Sequence, residues 1–331
     1  MNQTSDIPIV DVSPLTESTS SADAVATAIR NACCESGFFY VTGHGVSDTL
    51  QRRLEDLSSQ FFALDQARKD DIRMERGGRA WRGYFRVGEE LTSGRPDRKE
   101  GLYFGAELSD DHPKVVAGVP LHGRNLFPDI PLLRETVLEY MDAMTRLGHT
   151  LMAGIALSLG LDASYFRDDL TADPLILFRI FHYPPQVSAS ESTDEWGVSE
   201  HTDYGLLTIL RQDECGGLQV KSRSRWVDAV PIPDAFVCNI GDMLDRMTAG
   251  LYRSTPHRVR NVSGRGRLSF PFFFDPGFDA IIRPVPTNHA ASLDADSRWD
   301  DQNIHEFEGT YGDYVLAKVS KVFPDLGGNA L

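Results

Sequence analysis

Two histidines and one aspartate have the residue types and spacing of a metal site. His201 and Asp203 flank a threonine, and His257 follows further along the chain, just before a short extended run. Two imidazoles and one carboxylate suit non-haem Fe(II), with coordination positions left open for other ligands. The H-x-D pattern alone is weak evidence because so short a motif arises by chance. Its context must decide whether these three residues, called the triad below, form a site.

A second pair of polar residues lies in a strongly apolar segment downstream. Arg267 and Ser269 are two apart in RLSFPFFF, so on a strand they share one face. An arginine among so many phenylalanines is buried, and a buried guanidinium needs an anion. Together the two side chains form a fork that holds a carboxylate by charge-assisted hydrogen bonds. A 2-oxo acid that chelates the iron and reaches this carboxylate fork with its far carboxylate fits, which predicts 2-oxoglutarate.

Strands must position these side chains, and the sequence predicts them. The segment EHTDYGLLTILR (200–211) is typical of a strand, on which His201 and Asp203 point to the same side. Short β-rich segments separated by turns over 175–282 indicate an antiparallel β core. Apolar residues spaced by three and four predict a long scaffold helix over 131–160 that packs against this core. The expected fold class is mainly β with flanking helices.

Several segments match a known family in order and spacing. They are FRIFHYPP (178–185), HTDYGLLTIL (201–210), GGLQV (216–220), NIGDML (239–244), YRSTPHRV (252–259) and RLSFPFFFDP (267–276), preceded by IPIVDVSPL (7–15) and ESGFFYVTGHGV (35–46). Over nearly its whole length the chain therefore resembles the isopenicillin N synthase-like family of 2-oxoglutarate/Fe(II)-dependent dioxygenases. The resemblance implies a double-stranded β-helix, or distorted jelly-roll. The expected organisation is an N-terminal region over 7–125, the scaffold helix over 131–160, the jelly-roll core over 174–282 and a C-terminal helical segment over 299–331.

The resemblance also implies roles for individual residues. The triad of His201, Asp203 and His257 would bind Fe(II), and the carboxylate fork of Arg267 and Ser269 would bind the distal carboxylate of 2-oxoglutarate. Tyr183 matches a family tyrosine that touches the same cosubstrate. One position departs from the pattern, because many plant members carry asparagine where this chain has Phe181. The hydrogen bond that such an asparagine gives to the cosubstrate is therefore expected to be absent.

Four residues are candidates for contacts with the substrate. Arg179 shares strand parity with Tyr183, so it either binds an acidic or polar substrate group or serves a structural ion pair. Arg82 and Tyr84 lie in an arginine-rich segment that contributes substrate contacts in relatives, although such a segment is more often a solvated surface. Phe273 lies on the face of the carboxylate fork, where it forms either an apolar pocket wall or ordinary core.

Composition restricts the partners. The 331 residues have a formal net charge of −15, which disfavours nucleic acid and anionic membranes because both reward a basic surface. No apolar stretch is long enough for a membrane span, and no export segment is recognisable. Four cysteines, two of them adjacent, make neither a disulfide framework nor a thiolate metal site. We expect a cytoplasmic monomer that acts on small molecules.

The predicted reaction is the oxidation of an unactivated C–H bond, with Fe(II), O2 and 2-oxoglutarate, and with release of succinate and CO2. Hydroxylation, desaturation and cyclisation all remain open, because the protein controls only which bond is within reach. Three alternatives also remain. The first is an oxidative cyclase without 2-oxoglutarate, resembling isopenicillin N synthase itself. The second is an ethylene-forming or ascorbate-using relative, and the third is a catalytically silent jelly-roll that binds a small molecule.

Overall fold

Strands and helices are interspersed along this chain, and most of the strands belong to two sheets. The computed structural model describes residues 7–16, 22–185, 196–222, 225–286 and 304–322. The strands are β1 (Ile9–Asp11), β2 (Phe38–Thr42), β3 (Gly83–Phe85), β4 (Leu91–Thr92), β5 (Arg95–Pro96), β6 (Glu100–Gly105), β7 (Leu175–Tyr183), β8 (Val198–His201), β9 (Leu207–Gln212), β10 (Leu218–Ser222), β11 (Arg225–Asp228), β12 (Phe236–Ile240), β13 (His257–Val259) and β14 (Arg267–Asp275). The helices are α1 (Ser13–Thr16), α2 (Ala22–Glu35), α3 (Asp48–Phe62), α4 (Gln66–Asp70), α5 (Pro113–Val116), α6 (Leu133–Ser158), α7 (Tyr165–Asp169), α8 (Asp242–Met247) and α9 (Tyr311–Val322).

The strands form a large and a small sheet, with a separate hairpin. The large sheet has the order β1-β2-β12-β9-β14-β7-β6-β3, and the small sheet has the order β11-β10-β13-β8. The strands of the core pair antiparallel, whereas β1 and β2 pair parallel at one edge. The predicted mainly β jelly-roll with flanking helices is confirmed. The N-terminal region also contributes strands to the large sheet, because β2 pairs with β12 and β6 pairs with β7.

Alternation along β14 separates a cavity face from a helix face. Arg267, Ser269 and Phe273 line a cavity, whereas Phe272 and Phe274 are buried on the opposite face. This is the period of two that a strand imposes on its side chains. The neighbouring strand β7 obeys the same rule, so that every second residue from Leu177 to Tyr183 lines the cavity. Two adjacent strands thus give this cavity much of one wall.

The scaffold helix α6 covers the apolar face of the large sheet. It spans Leu133–Ser158, within the predicted range, and it packs against α2, α3, β9 and β14. Gly148 allows the close approach, because a Cβ there would lie 2.5 Å from Cδ2 of Phe274. After the helix, Gly160 has a φ of +75°, the left-handed conformation that commonly ends helices. A continuous apolar layer therefore supports the strands that carry the polar site.

One strand prediction is wrong in an instructive way. The segment 200–211 is not a single strand: β8 ends at His201, β9 begins at Leu207, and a turn lies between them. The backbone carbonyl of Asp203 accepts a hydrogen bond of 2.8 Å from the amide of Asp242, at the start of α8. Gly205 is required in this turn, because the carboxylate of Asp275 fills the space that a Cβ would need. The turn carries the chain from the small sheet to the large one.

Two further observations bear on the expected setting of the protein. Among the described residues, no helix is both long and apolar enough to cross a membrane. All four cysteines are free thiols, at positions 33, 34, 215 and 238. Cys33 and Cys238 are buried, and burial raises the pKa of both thiols. Their thiolate forms are therefore rare at neutral pH, and the two groups behave as core residues.

Candidate active site

A cavity of about 640 Å³ lies between the two sheets. The triad and the carboxylate fork line it, together with the candidate substrate residues Arg179 and Phe273. The hairpin of β4 and β5 and the closing helix α9 also contribute to its wall. The predicted site residues from β7, β8, β13 and β14, strands of two sheets, thus converge on one volume.

The two histidines of the triad are held with the same ring nitrogen facing inward. Nδ1 of His201 lies 2.8 Å from the carbonyl of Ser199, and Nδ1 of His257 lies 3.2 Å from the carbonyl of Thr255. A carbonyl only accepts, so a proton on Nδ1 satisfies each contact and leaves the lone pair on Nε2. Both Nε2 atoms face Asp203, at 3.8 and 3.7 Å from its Oδ1. Such partners orient metal-binding histidines in general.

Asp203 is oriented by hydrogen bonds to its other oxygen. Oδ2 accepts from the hydroxyl of Thr208 at 2.5 Å and from the side-chain amide of Asn239 at 2.7 Å. Thr208 belongs to β9 and Asn239 to β12, so the large sheet fixes this carboxylate. Oδ1 is left to face the two imidazoles. The turn and the large sheet, rather than a continuous strand, therefore orient Asp203 toward the two histidines.

Electrostatics favour the protonation states that a metal needs. Burial lowers the pKa of His201 to about 3, and the neighbouring His257 contributes to the same lowering. Burial opposes ionisation of Asp203, yet the two histidines and its hydrogen bonds hold its pKa below the usual range. Donor atoms of the triad all lie within 4.8 Å of one another. Two neutral imidazoles and one carboxylate at this spacing fit an Fe(II) site with open positions.

The buried guanidinium of Arg267, in the carboxylate fork, has no anionic partner among the residues that the structure describes. It is fully buried, and its Nε donates to the carbonyl of Gly216 at 2.5 Å. Nη1 and Nη2 have no hydrogen-bond partner in the described part of the chain. Its guanidinium carbon lies 4.7 Å from the ring centroid of Tyr183, its cross-strand partner, and the buried Ser269 lies two residues further along β14. The arrangement fits an acidic ligand such as the distal carboxylate of a 2-oxo diacid.

Arg179 reaches the cavity from β7, as its strand parity predicts. Its guanidinium stacks on two aromatic rings, 4.0 Å from the centroid of Tyr103 and 4.9 Å from that of Phe273. Nη1 lies 3.4 Å from Oε1 of Glu90, a contact at the long end for a hydrogen bond. Arg179 is therefore both a member of an ion pair and a cavity residue. The ion pair that the sequence allows is observed, and the binding of a substrate group by Arg179 stays a prediction.

Arg82 and Tyr84, predicted as substrate contacts, do not line this cavity. The guanidinium of Arg82 is fully buried and donates to the carbonyl of Leu121 and to Oδ1 of Asn125, at 2.7 and 2.9 Å. Burial lowers its pKa to about 10. The hydroxyl of Tyr84 donates to Glu100 at 2.6 Å. Arg82 thus connects its segment to the loop after β6, and Tyr84 connects it to the start of β6.

Sequence reasoning missed a group of charged residues at the cavity, next to Arg179. Glu90, Asp97 and Lys99 are each at most 4% exposed, and Glu90 and Lys99 line the cavity. Lys99 lies 2.7 Å from Oε2 of Glu90 and also contacts Asp97. Burial opposes ionisation of Glu90, but Lys99 and Arg179 hold its pKa below the usual range. Their charge is the only local signal they carry, and in an arginine-rich segment that signal resembles a solvated surface.

The closing helix α9 is also part of the cavity wall. Val315 and Val319 are buried on one of its faces and line the cavity, and Lys318 lies beside them. The ammonium of Lys318 is 5.5 Å from the ring centroid of Tyr204, the residue after Asp203. The amphipathic pattern predicts this helix but not its place, because periodicity does not say which surface the apolar face covers.

Comparisons with known proteins agree with this geometry. Residues 175–276 match the model of the 2OG-Fe(II) oxygenase superfamily, and residues 7–130 match that of the non-haem dioxygenase in morphine synthesis N-terminal region. A Dictyostelium discoideum protein described as a probable iron/ascorbate oxidoreductase is 55% identical, over 93% of this chain and 91% of its own. The 1-aminocyclopropane-1-carboxylate oxidase of the same organism is 40% identical, over 96% and 95%.

A solved structure shares the fold along almost the whole chain. The crystal structure of a full-length Neurospora crassa protein in complex with alpha-KG and thymine superposes with a TM-score of 0.80, at 27% sequence identity, covering 97% of this chain and 98% of that one. The site residues described above lie largely within the matched core, and the two Dictyostelium discoideum relatives named above are 55% and 40% identical. The chain belongs to the 2OG-Fe(II) oxygenase superfamily.

Proposed function

We propose that His201, Asp203 and His257 bind Fe(II), while Arg267, Ser269 and Tyr183 bind 2-oxoglutarate. The membership of the family makes the chain a non-haem Fe(II) and 2-oxoglutarate-dependent dioxygenase that oxidises a small molecule. One observation carries the assignment of residues: at the cavity that holds the triad, two nitrogens of the buried Arg267 guanidinium have no hydrogen-bond partner among the described residues. Buried polar groups normally have hydrogen-bond partners, so we expect these nitrogens to bind a ligand.

The residues of the chain would bind and orient the reactants. When bound, Fe(II) with 2-oxoglutarate supplies the oxidation, in which O2 is consumed, succinate and CO2 are formed, and a substrate C–H bond is oxidised. The carbonyls of Ser199 and Thr255 keep both imidazoles turned toward the metal. Arg267 neutralises the far carboxylate of the cosubstrate and so fixes its direction. The aromatic ring of Phe181 lines the cavity next to the ring of Tyr183.

The first test is an anaerobic titration with Fe(II) and then 2-oxoglutarate, followed by visible absorbance. The wild type should develop the weak charge-transfer band of a chelated 2-oxo acid. His201→Ala should lose the band by losing the metal, and Arg267→Ala should need far more 2-oxoglutarate to reach it. Arg265→Ala is a matched control, because Arg265 is exposed and pairs with Glu214 at the surface. Iron binding without any band would reject the cosubstrate assignment.

The substrate is proposed to carry both a carboxylate and an amine. Arg179 offers a cation in the cavity. A relative 40% identical is described as a 1-aminocyclopropane-1-carboxylate oxidase, and that compound carries both groups. The thymine in the solved structure is neutral, so a pyrimidine is the contrasting class. Succinate release should be screened with free amino acids and with pyrimidines. Coupled turnover with pyrimidines alone would reject the amino acid class.

A second candidate function drops the cosubstrate. The relative 55% identical is described as an iron/ascorbate oxidoreductase, which favours ascorbate as the electron donor. In that case the carboxylate fork of Arg267 and Ser269 would hold a substrate carboxylate instead. Oxygen uptake that requires ascorbate and proceeds without 2-oxoglutarate would identify this function. The titration above separates the two, because only the first predicts the charge-transfer band.

We also propose that the protein acts as a monomer in the cytoplasm. Four free thiols, two of them deeply buried, suit a reducing compartment. The triad, the carboxylate fork and Arg179 all belong to this chain, so a monomer contains every residue proposed to bind the reactants. Light scattering during size-exclusion chromatography measures the mass directly. A stable dimer at micromolar concentration would reject the proposed monomer.

A further inference from the structure

Four charged side chains form a compact cluster on the cavity wall. Glu90, Asp97 and Lys99 belong to the segment of the β4–β5 hairpin, and Arg179 approaches from β7. Lys99 lies between the two carboxylates, and Glu90 lies between Lys99 and Arg179. The hydroxyl of Tyr103 also donates to Glu90. This set, called the charge cluster below, is independent of the triad and of the carboxylate fork.

The charge cluster is balanced, with two carboxylates against two cations. It is also dry, because three of its side chains are almost wholly buried and Arg179 retains only 18% of its side-chain exposure. An additional charge brought into such a place lacks the compensation of water. A ligand with a single carboxylate or a single ammonium would leave the cluster unbalanced. A ligand that carries both groups would keep the balance.

One contact of the cluster is looser than the others. Nη1 of Arg179 is 3.4 Å from Glu90, whereas Lys99 is 2.7 Å from the same carboxylate. Nε of Arg179 is buried and has no hydrogen-bond partner among the described residues. Glu90 and Arg179 both line the cavity, so a ligand reaches this contact directly. A charged ligand therefore disturbs the cluster least if it replaces the contact between Arg179 and Glu90.

We propose that Glu90 determines substrate specificity by exchanging its contact with Arg179 for the ammonium of a zwitterionic substrate, whose carboxylate then pairs with Arg179. The inference rests on the proposed function and deepens it, because it names the residue that recognises the amine. Lys99 is a positioning residue, which keeps the Glu90 carboxylate at the cavity wall. Asp97 is the second carboxylate that balances the two cations of the charge cluster. The hydroxyl of Thr92 donates to Asp97 at 2.7 Å.

The test is calorimetric binding to the anaerobic enzyme loaded with Fe(II) and 2-oxoglutarate. The probes are the L-α-amino acids and 1-aminocyclopropane-1-carboxylate, each compared with its des-amino acid and its methyl ester. The wild type should bind at least one free amino acid more tightly than both derivatives. Glu90→Gln should weaken that binding by about 30-fold or more, because a buried charge loses its partner. It should also improve the relative affinity of the des-amino acid, since Arg179 is then an unpaired cation.

The controls separate recognition from damage. Glu89→Gln changes the neighbouring carboxylate, which pairs with Arg73 outside the cavity, and it should leave the ligand preference unchanged. Equal losses for amino acids and des-amino acids in Glu90→Gln would overturn the proposal, as would a wild type that prefers no free amino acid over its derivatives. If Glu90→Gln does not fold, Glu90→Asp retains the charge and should show a smaller shift of preference in the same direction.

Failure of the proposed function would be visible separately. The charge-transfer band reports the Fe(II) and 2-oxoglutarate sites and does not require Glu90. If the wild type lacks the band, the same calorimetric comparison on the metal-free protein still tests the exchange at Glu90 and Arg179. If the band forms normally and the ligand preference is absent, only the inference about Glu90 falls.

Discussion

His201 and His257 are direct cross-strand partners of β8 and β13, and their ring centroids lie 4.2 Å apart. The pairing of the small sheet therefore sets the separation of the two histidines proposed as metal ligands. A slip of one residue in this register would send one imidazole to the opposite face. The third proposed ligand, Asp203, comes from the turn that leads to the large sheet. The site thus depends on how the two sheets are joined, and the H-x-D motif marks the junction.

The hydroxyl that orients Asp203 should matter for the metal. Thr208→Val removes the donor to Oδ2 of Asp203 and keeps the shape of the side chain. We expect the affinity for Fe(II) to fall about 10-fold or more, because outer partners of metal ligands hold them in place. An anaerobic Fe(II) titration measures this. Thr145→Val is the control, since that hydroxyl donates only to the carbonyl of Met141 in α6. Equal iron affinity in wild type and Thr208→Val would contradict the role.

Arg267 and Ser269, the two members of the carboxylate fork, should contribute unequally to the binding of 2-oxoglutarate. Ser269→Ala removes one neutral donor and should raise the KM for 2-oxoglutarate about 10-fold. Arg267→Lys keeps the charge but loses the planar pair of donors, and should raise it about 30-fold or more. Fe(II) affinity should not change in either variant. Ser109→Ala, at the surface, is the control. A larger effect of the serine than of the arginine would reject this division of labour.

The polar residues on strands were predictable because strands have a fixed period. RLSFPFFF shows which residues share a face with Arg267, and the structure places the same residues on the cavity. The parity of Arg179 with Tyr183 follows from the same rule and is also found. Predictions of this kind use only the alternation of side chains and the cost of burying an unpaired charge. They need no knowledge of which strands become neighbours.

The features that the sequence did not predict correctly depend on contacts between residues far apart in the chain. The turn at 202–206 interrupts the predicted strand because its carbonyls are bonded to the amides at the start of α8, nearly forty residues away in the sequence. Arg82 looked like a surface or substrate residue, yet its partners come from a loop after β6. Glu90 and Lys99 face the cavity only because the hairpin folds onto β8, where Ser93 donates to the carbonyl of Glu200. Local patterns contain none of this information.

Arg82 should be important for stability and unimportant for catalysis. Arg82→Met keeps the length of the side chain but removes the donors to the carbonyls of Ala80 and Leu121, whereas Oδ1 of Asn125 keeps the amide of Gly105. We expect a loss of about 2–4 kcal/mol in the free energy of unfolding, because buried polar groups become unsatisfied. The KM for substrate and for 2-oxoglutarate should not change in the folded fraction.

The neighbouring Arg79 provides the matched comparison, since its side chain is exposed. Arg79→Met should unfold at the same urea concentration as the wild type. A change in KM without a change in the unfolding midpoint of Arg82→Met would return Arg82 to the substrate contacts and contradict its structural role.

Asp275 should make stability depend on pH. Burial raises the pKa of this carboxyl to about 7, against a hydrogen bond of 2.6 Å from the hydroxyl of Tyr311 that lowers it. The folded protein therefore binds a proton that the unfolded chain releases near pH 4. Between these two values the contribution of Asp275 to stability falls as the pH rises, by up to about 1.4 kcal/mol for each pH unit.

Asp275→Asn removes this titration and keeps an oxygen for Tyr311. The variant should gain stability over the wild type as the pH rises from 4 to 7, and the difference should become constant above pH 7. Urea unfolding of the metal-free proteins at a series of pH values measures it. Asp173→Asn changes an exposed carboxylate instead and should give a curve close to that of the wild type. If the curves for Asp275→Asn and the wild type run parallel between pH 4 and 7, Asp275 is ionised throughout, and the cost of burying its charge must be offset by partners beyond Tyr311.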